Sequence, residues 1–230
     1  LIFANGTGGF TRDGREYIID LGPGRHTPAP WVNVMANSRL GTVVSETGSA
    51  YTWYGNAQLF RLTPWSNDAV CDPSGEAIYI REEPGGRFFS PMPWPHAGDG
   101  AWACRHGFGY SVFEHSEDEL ETELTTYVAV AAPVKFLALK IRNRGARCRT
   151  FSVFAAADLV LGDLRSRHSM HVVTELEPLT GAILARNRYN GEFSKTVAFF
   201  DCSEVPRSAS GDRAEFLGRN GDPSSPAALG

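Results

Sequence analysis

Short β-prone runs, each closed by Gly, Pro, Asn or Asp, succeed one another along nearly the whole chain. Candidate strands fall at 16–21, 31–35, 41–45, 50–54, 58–62, 77–81, 88–90, 109–115, 121–130, 135–143, 150–161, 170–176, 182–186 and 196–201. The clearest is Lys135-Phe136-Leu137-Ala138-Leu139-Lys140-Ile141. A two-residue period puts Leu137, Leu139 and Ile141 on one face and Phe136, Ala138 and Lys140 on the other, where a helix would scatter them. Both faces carry apolar groups, so this strand is expected between two layers. The run 150–161 holds Ala155-Ala156-Ala157, which a helix would also accept, but its β-branched and aromatic neighbours favour a strand. No long amphipathic helix and no strand–helix alternation breaks the rhythm, which argues against a doubly wound α/β fold. The fold class is therefore all-β, one large two-sheet antiparallel sandwich rather than a small barrel.

Composition narrows the function classes. The 230 residues are 42% hydrophobic with a formal net charge of −4, and no basic run is present, so a nucleic-acid partner is not expected. Cys71, Cys104, Cys148 and Cys202 are far apart and form no C-x-x-C pair, which reads as four reduced thiols in a cytoplasmic protein. No apolar run is long enough to span a membrane, and the start carries no signal peptide. The abrupt opening at Leu1-Ile2-Phe3 and the small-residue stretch 222–230 read as the ends of an excised piece: a sandwich over 1–221, then the start of a linker.

Most chemical motifs have a bland reading. The acidic run from Glu114 to Glu123 lacks the D-x-D-x-D-G spacing of a calcium loop and reads as a solvated hairpin face. Gly6-Thr7-Gly8-Gly9 lacks the Lys-Ser/Thr of a phosphate loop and reads as a flexible turn. His168 and His171 have no third partner at metal-ligand spacing, so no metal is expected. No nucleophile elbow or Cys–His pair stands out, and neither a catalytic residue nor a cofactor is assigned.

Aromatics say more. Trp31, Trp53, Tyr54, Trp65, Trp94, Trp102 and Tyr110 mostly adjoin Pro, Gly or Asn. An aromatic plate under the C–H face of a sugar, with polar groups at its rim, is one use of such rings; filling the core is the other. Arg105-His106-Gly107-Phe108-Gly109-Tyr110 combines rim donors, glycines and aromatics, although on its own it reads as a bulged turn.

Several blocks together carry a family likeness: residues 10–19 (FTRDGREYII), 27–34 (TPAPWVNV), 45–53 (SETGSAYTW), 61–68 (RLTPWSND), 105–110 (RHGFGY) and 211–221 (GDRAEFLGRNG). With these, the chain resembles the N-terminal sandwich domain of the cellobiose and chitobiose phosphorylase family, most closely the corresponding region of cyclic β-1,2-glucan synthases. The resemblance implies a supersandwich like that of galactose mutarotase, followed in the polypeptide by a helical linker and an (α/α)₆ barrel. That barrel would hold the general acid and the phosphate site for inverting phosphorolysis, so Asp68, Asp158 and Asp212 are not nominated as catalytic. It implies a supporting role here: Arg105 as first candidate for contact with sugar hydroxyls, His106 and Tyr110 orienting it or lining the wall, and Trp53 and Trp65 as weaker candidates. The implied partners are a β-linked glucan or oligosaccharide, the barrel of the same polypeptide and a second copy in a homodimer. Any membrane anchor would lie in segments outside this chain. Two rivals are a stand-alone carbohydrate-binding module and a mutarotase-like epimerase pairing His106 with Glu46.

Overall fold

A computed structural model of the chain describes residues 1–22, 25–204 and 208–230. Its strands in chain order begin with β1 (Gly8–Phe10), β2 (Glu16–Leu21), β3 (Val32–Ala36), β4 (Leu40–Ser45) and β5 (Ala50–Tyr54). Next come β6 (Glu76–Glu83), β7 (Phe88–Phe89), β8 (Ala101–Gly107), β9 (Tyr110–Glu117) and β10 (Leu120–Val128). The last are β11 (Lys135–Asn143), β12 (Thr150–Ala157), β13 (Val172–Leu176), β14 (Ile183–Asn187) and β15 (Ala198–Phe200). Helices are confined to short turns, α1 (Arg165–His168) and α2 (Arg213–Leu217) among them.

The strands make one six-stranded sheet, ordered β1-β2-β8-β9-β10-β11, and three smaller ones: β12-β6-β7, β3-β4-β5 and β13-β14-β15. Every pairing is antiparallel. Strand alternation turns Ile19, Leu21, Trp102, Cys104, Phe113 and Leu124 of the large sheet inward. There they meet Met35, Val44 and Ala50 of one small sheet and Ile78, Ile80 and Phe89 of another, so the core is an inter-sheet layer. Full burial of each Leu, Ile, Val, Phe or Met among them contributes about 1.5–3 kcal/mol.

Polar pins fix how the layers sit. Asn33 Nδ2 donates to the Gly107 and Tyr110 carbonyls, both at 2.9 Å, tying β3 to the β8–β9 hairpin. Asn37 Nδ2 donates to the carbonyls of Ala129 and Ala132 at 2.7 Å. Lys135 Nζ on β11 reaches Glu76 Oε2 on β6 at 2.5 Å, an ion pair that crosses the layer. A second cluster, Phe60, Leu161 and Ala185, seats the β13-β14-β15 sheet, with Phe60 and Phe193 stacked at 4.5 Å.

The all-β antiparallel expectation holds, and Ala155-Ala156-Ala157 lies in a strand paired along its length with β6. Other expectations are corrected. Residues 58–62 are not a strand: the Asn56 carboxamide accepts from the Gln58 and Leu59 amides and folds the chain into a turn. Gly8 and Gly9 belong to β1 rather than a flexible turn, and a Cβ at Gly8 would collide with the Ile18 carbonyl. Residues 101–107 are a central strand that the sequence hid, because Ala101, Ala103 and Arg105 carry little β preference. The 213–217 segment is helical because Asp212 caps it, accepting from the Ala214 amide at 2.8 Å. Residues 222–230 lie against the sandwich: Leu229 is buried with Tyr79, and Tyr79 donates its hydroxyl to the Pro223 carbonyl at 2.6 Å.

Strand 135–143 does not lie between two layers. β11 is an edge strand of the large sheet and β12 an edge strand of the facing sheet. Between them the sandwich is open on one side, with Leu137 37%, Ile141 36% and Val153 52% exposed.

Candidate functional site

The β8–β9 hairpin carries three of the candidate residues and separates them. It reverses through Phe108 and Gly109, the latter at φ +84°, in the left-handed region that favours glycine. The Tyr110 ring folds over Gly107 so closely that a Cβ there has no room. Register then places Arg105 on the outer face of the large sheet and His106 on the inner face, because neighbouring side chains of a strand point opposite ways.

On the outer face Arg105 is held on both sides. Its Nη1 donates to both Glu16 oxygens at 3.2 Å, and its Nη2 lies 3.2 Å from Glu114 Oε1. Tyr110 donates its hydroxyl to Glu16 Oε1 at 2.7 Å. That bond, with Glu16's charge and some burial, pushes the phenol above its ordinary range and keeps it a donor. Two carboxylates around one guanidinium leave the cluster one negative charge in excess, with Glu114 Oε2 as its uncommitted carboxylate oxygen. Phe108 stands beside it at the hairpin tip, 84% exposed.

His106 faces the core side, where Nδ1 lies 2.8 Å from Ser111 Oγ and Nε2 lies 3.0 Å from the Trp31 carbonyl. A carbonyl only accepts, so Nε2 carries the proton and Nδ1 accepts from the Ser111 hydroxyl. Burial holds the imidazole below its ordinary pKa, so it is neutral at pH 7. His106 therefore does not orient Arg105; it holds Trp31. Glu46 does the same from the other end, accepting from the Trp31 amide at 2.7 Å and from the Thr27 hydroxyl. Burial pushes its carboxyl up. The pair imagined for an epimerase thus grips one backbone unit instead of converging on an open sugar site.

Trp53 and Trp65 form a separate aromatic group. Trp53 on β5 lies across Gly41 of β4. Tyr51 bridges the two indoles, with ring centres 5.4 Å from Trp53 and 6.2 Å from Trp65. The Arg61 guanidinium sits 5.3 Å over Trp65, which is 46% exposed. Sequence reasoning missed Glu16, Glu114, Tyr51 and Arg61. Register was the signal: Glu16 pairs across from Gly107, and Tyr51 precedes Trp53 by two.

The remaining polar candidates are structural. His168 bonds Asp163 at 2.9 Å and Asn187 at 3.0 Å, while His171 packs on Tyr189. Asp68 accepts from the Val70 and Cys71 amides, and Asp158 pairs with Arg165. Among the described residues no three His, Cys, Asp or Glu side chains converge as metal ligands. No helix there is long and apolar enough to cross a membrane.

Comparison with known proteins gives the setting. Residues 15–230 match the family described as the glycosyl hydrolase 94 supersandwich domain. The whole chain is 39% identical to part of the cyclic beta-(1,2)-glucan synthase NdvB of Rhizobium meliloti (strain 1021), covering 8% of that protein. It is 26% identical to an N,N'-diacetylchitobiose phosphorylase of Vibrio proteolyticus over 96% of the chain, covering 28% of that protein. Against a solabiose phosphorylase of Paenibacillus borealis it is 24% identical over 97% of the chain, covering 30% of that protein. The chain thus spans less than a third of each of these relatives.

Proposed function

The chain belongs to the glycosyl hydrolase 94 supersandwich family, and from that premise we propose that it is the non-catalytic sandwich of a β-glucan-processing glycoside phosphorylase or cyclic β-1,2-glucan synthase. In the longer enzyme a barrel domain supplies the acid and the phosphate site. Phosphate attacks the anomeric carbon there while the acid protonates the departing sugar oxygen. The sandwich braces that barrel, contributes contacts to a homodimer and walls the acceptor side of the sugar site. The setting is cytoplasmic, with any membrane anchor carried by other segments. The higher identity to the glucan synthase favours β-1,2-glucan as the sugar.

The observation that carries this reading is the outer-face cluster of Arg105, Glu16, Glu114 and Tyr110 beside the exposed Phe108. Arg105 acts chiefly by fixing the two carboxylates, and the uncommitted Glu114 Oε2 accepts from a sugar hydroxyl while Phe108 offers an apolar plate. The open apolar side between β11 and β12 is a second face suited to cover by another part of the enzyme. The test is calorimetric titration with linear and cyclic β-1,2-glucans, with and without Arg105→Ala. Binding that the substitution weakens supports a sugar subsite on this hairpin. Binding that the substitution leaves unchanged removes the hairpin from the site.

A further inference from the structure

A second concave site lies away from that hairpin. Residues 25–30, the β4–β5 turn at Glu46 and Thr47, residues 69–72 and residues 97–100 enclose a cleft of about 470 Å³, within the size range of small-molecule sites. Its apolar wall is made by Pro28, Pro30, Pro93 and the 95% exposed Val70. The polar groups converge from three loops. Ser45 and Thr47 both donate to Asp72 Oδ2 at 2.7 Å, pinning the 69–72 segment to the turn. Glu46 lies at the cleft wall, oriented by Thr27 and the Trp31 amide, and Asp99 stands exposed at the rim.

The chemistry selects the ligand. Arg25 and His26 also line the cleft, but the Arg25 guanidinium is paired with Asp20, so the carboxylates of Asp72 and Asp99 leave the lining acidic and disfavour an anion. A cation is disfavoured because no three acidic or imidazole groups converge among the described residues. What remains is an uncharged molecule with hydroxyls to donate and C–H faces to lay on prolines. We propose that this cleft is a saccharide-binding subsite, taking a hexose unit of a β-glucan independently of the Arg105 hairpin. The choice of β-glucan rests on the function proposed above; the cleft as a site for a neutral polyol does not.

The experiment is a titration of the chain with the β-1,2-linked glucose disaccharide, followed by amide NMR shifts, for the unmodified protein and three variants. Ala29→Trp fills the cleft from an exposed position, Asp99→Ala removes a rim acceptor, and Arg105→Ala disturbs only the hairpin; circular dichroism confirms that each is folded. Shifts centred on residues 25–30, 69–72 and 97–100 are expected. Ala29→Trp and Asp99→Ala should each weaken binding at the cleft about tenfold, whereas Arg105→Ala should leave the cleft shifts in place and remove only those of the hairpin. Absence of binding at millimolar sugar overturns the proposal. So does binding that survives Ala29→Trp and Asp99→Ala; if Arg105→Ala alone abolishes it, the hairpin reading stands while the cleft falls.

Discussion

Lys135→Met is the substitution whose cost the structure states most fully. Lys135 Nζ reaches Glu76 Oε2 at 2.5 Å and Thr42 Oγ1 at 3.1 Å, with the side chains of the pair only 10% and 14% exposed. Glu76 Oε1 keeps the hydroxyls of Thr52 and Thr63 at 2.6 and 2.8 Å. Removing Lys135 leaves Oε2 buried with its charge uncompensated, a loss of about 3–5 kcal/mol. With a urea slope of about 3 kcal/mol/M, the unfolding midpoint should fall by about 1–1.7 M at pH 7. The pH dependence follows. Burial pushes Glu76 up, but attraction to Lys135 and the Lys and Thr hydrogen bonds outweigh it and hold the carboxyl below 4.5. A depressed carboxylate contributes stability that is fully present above its unfolded value and is lost as pH falls through the folded one. The gap between wild type and variant should therefore narrow on acidification below pH 4.5. A midpoint shift under about 0.3 M at pH 7 would refute the reasoning, since it would mean water had already reached the pair.

Three further outcomes are expected. Gly41→Ala puts a methyl into the Trp53 ring and should cost about 1–3 kcal/mol in thermal unfolding, with the Trp53 fluorescence altered; an unchanged melting temperature would contradict the packing. Asn33→Ala removes the donor shared by the Gly107 and Tyr110 carbonyls and should cost about 1–3 kcal/mol in urea unfolding, with faster amide exchange in the β8–β9 hairpin. His106 should titrate below 6.5 by NMR. A base whose folded pKa is depressed binds its proton less well in the folded chain, so its contribution to stability falls as pH drops through 6.5. A His106 midpoint above 6.5 would contradict its burial.

The sheets were legible because local chemistry and tertiary packing agree along them. Lys135–Asn143 is written in alternation, and β2 and β5 fall where their β-branched and aromatic residues put them. β8 was hidden because Ala101, Ala103 and Arg105 carry little β preference, and only pairing with β2 and β9 on both sides makes the strand. The candidate site was half legible. Arg105 and Tyr110 do meet, through Glu16. His106, adjacent in sequence, points the other way, and no motif reading conveys a strand's alternation before the strand is known. Glu114 was read as one of a solvated run, though its place opposite Glu123 and beside Arg105 depends on β9 register. Trp53 belongs to another sheet and Trp65 to the loop that follows it, which spacing in sequence could not reveal.

The most direct test of the proposed role is steady-state phosphorolysis of β-1,2-gluco-oligosaccharides by the full-length polypeptide, comparing wild type with Arg105→Ala. The KM for the sugar should rise about tenfold while the KM for phosphate and the thermal stability stay unchanged, because the proposed role puts the hairpin on the acceptor side only. Unaltered kinetics for both substrates would contradict a sugar-facing role for this sandwich. A rise confined to phosphate would contradict the side of the site to which it is assigned.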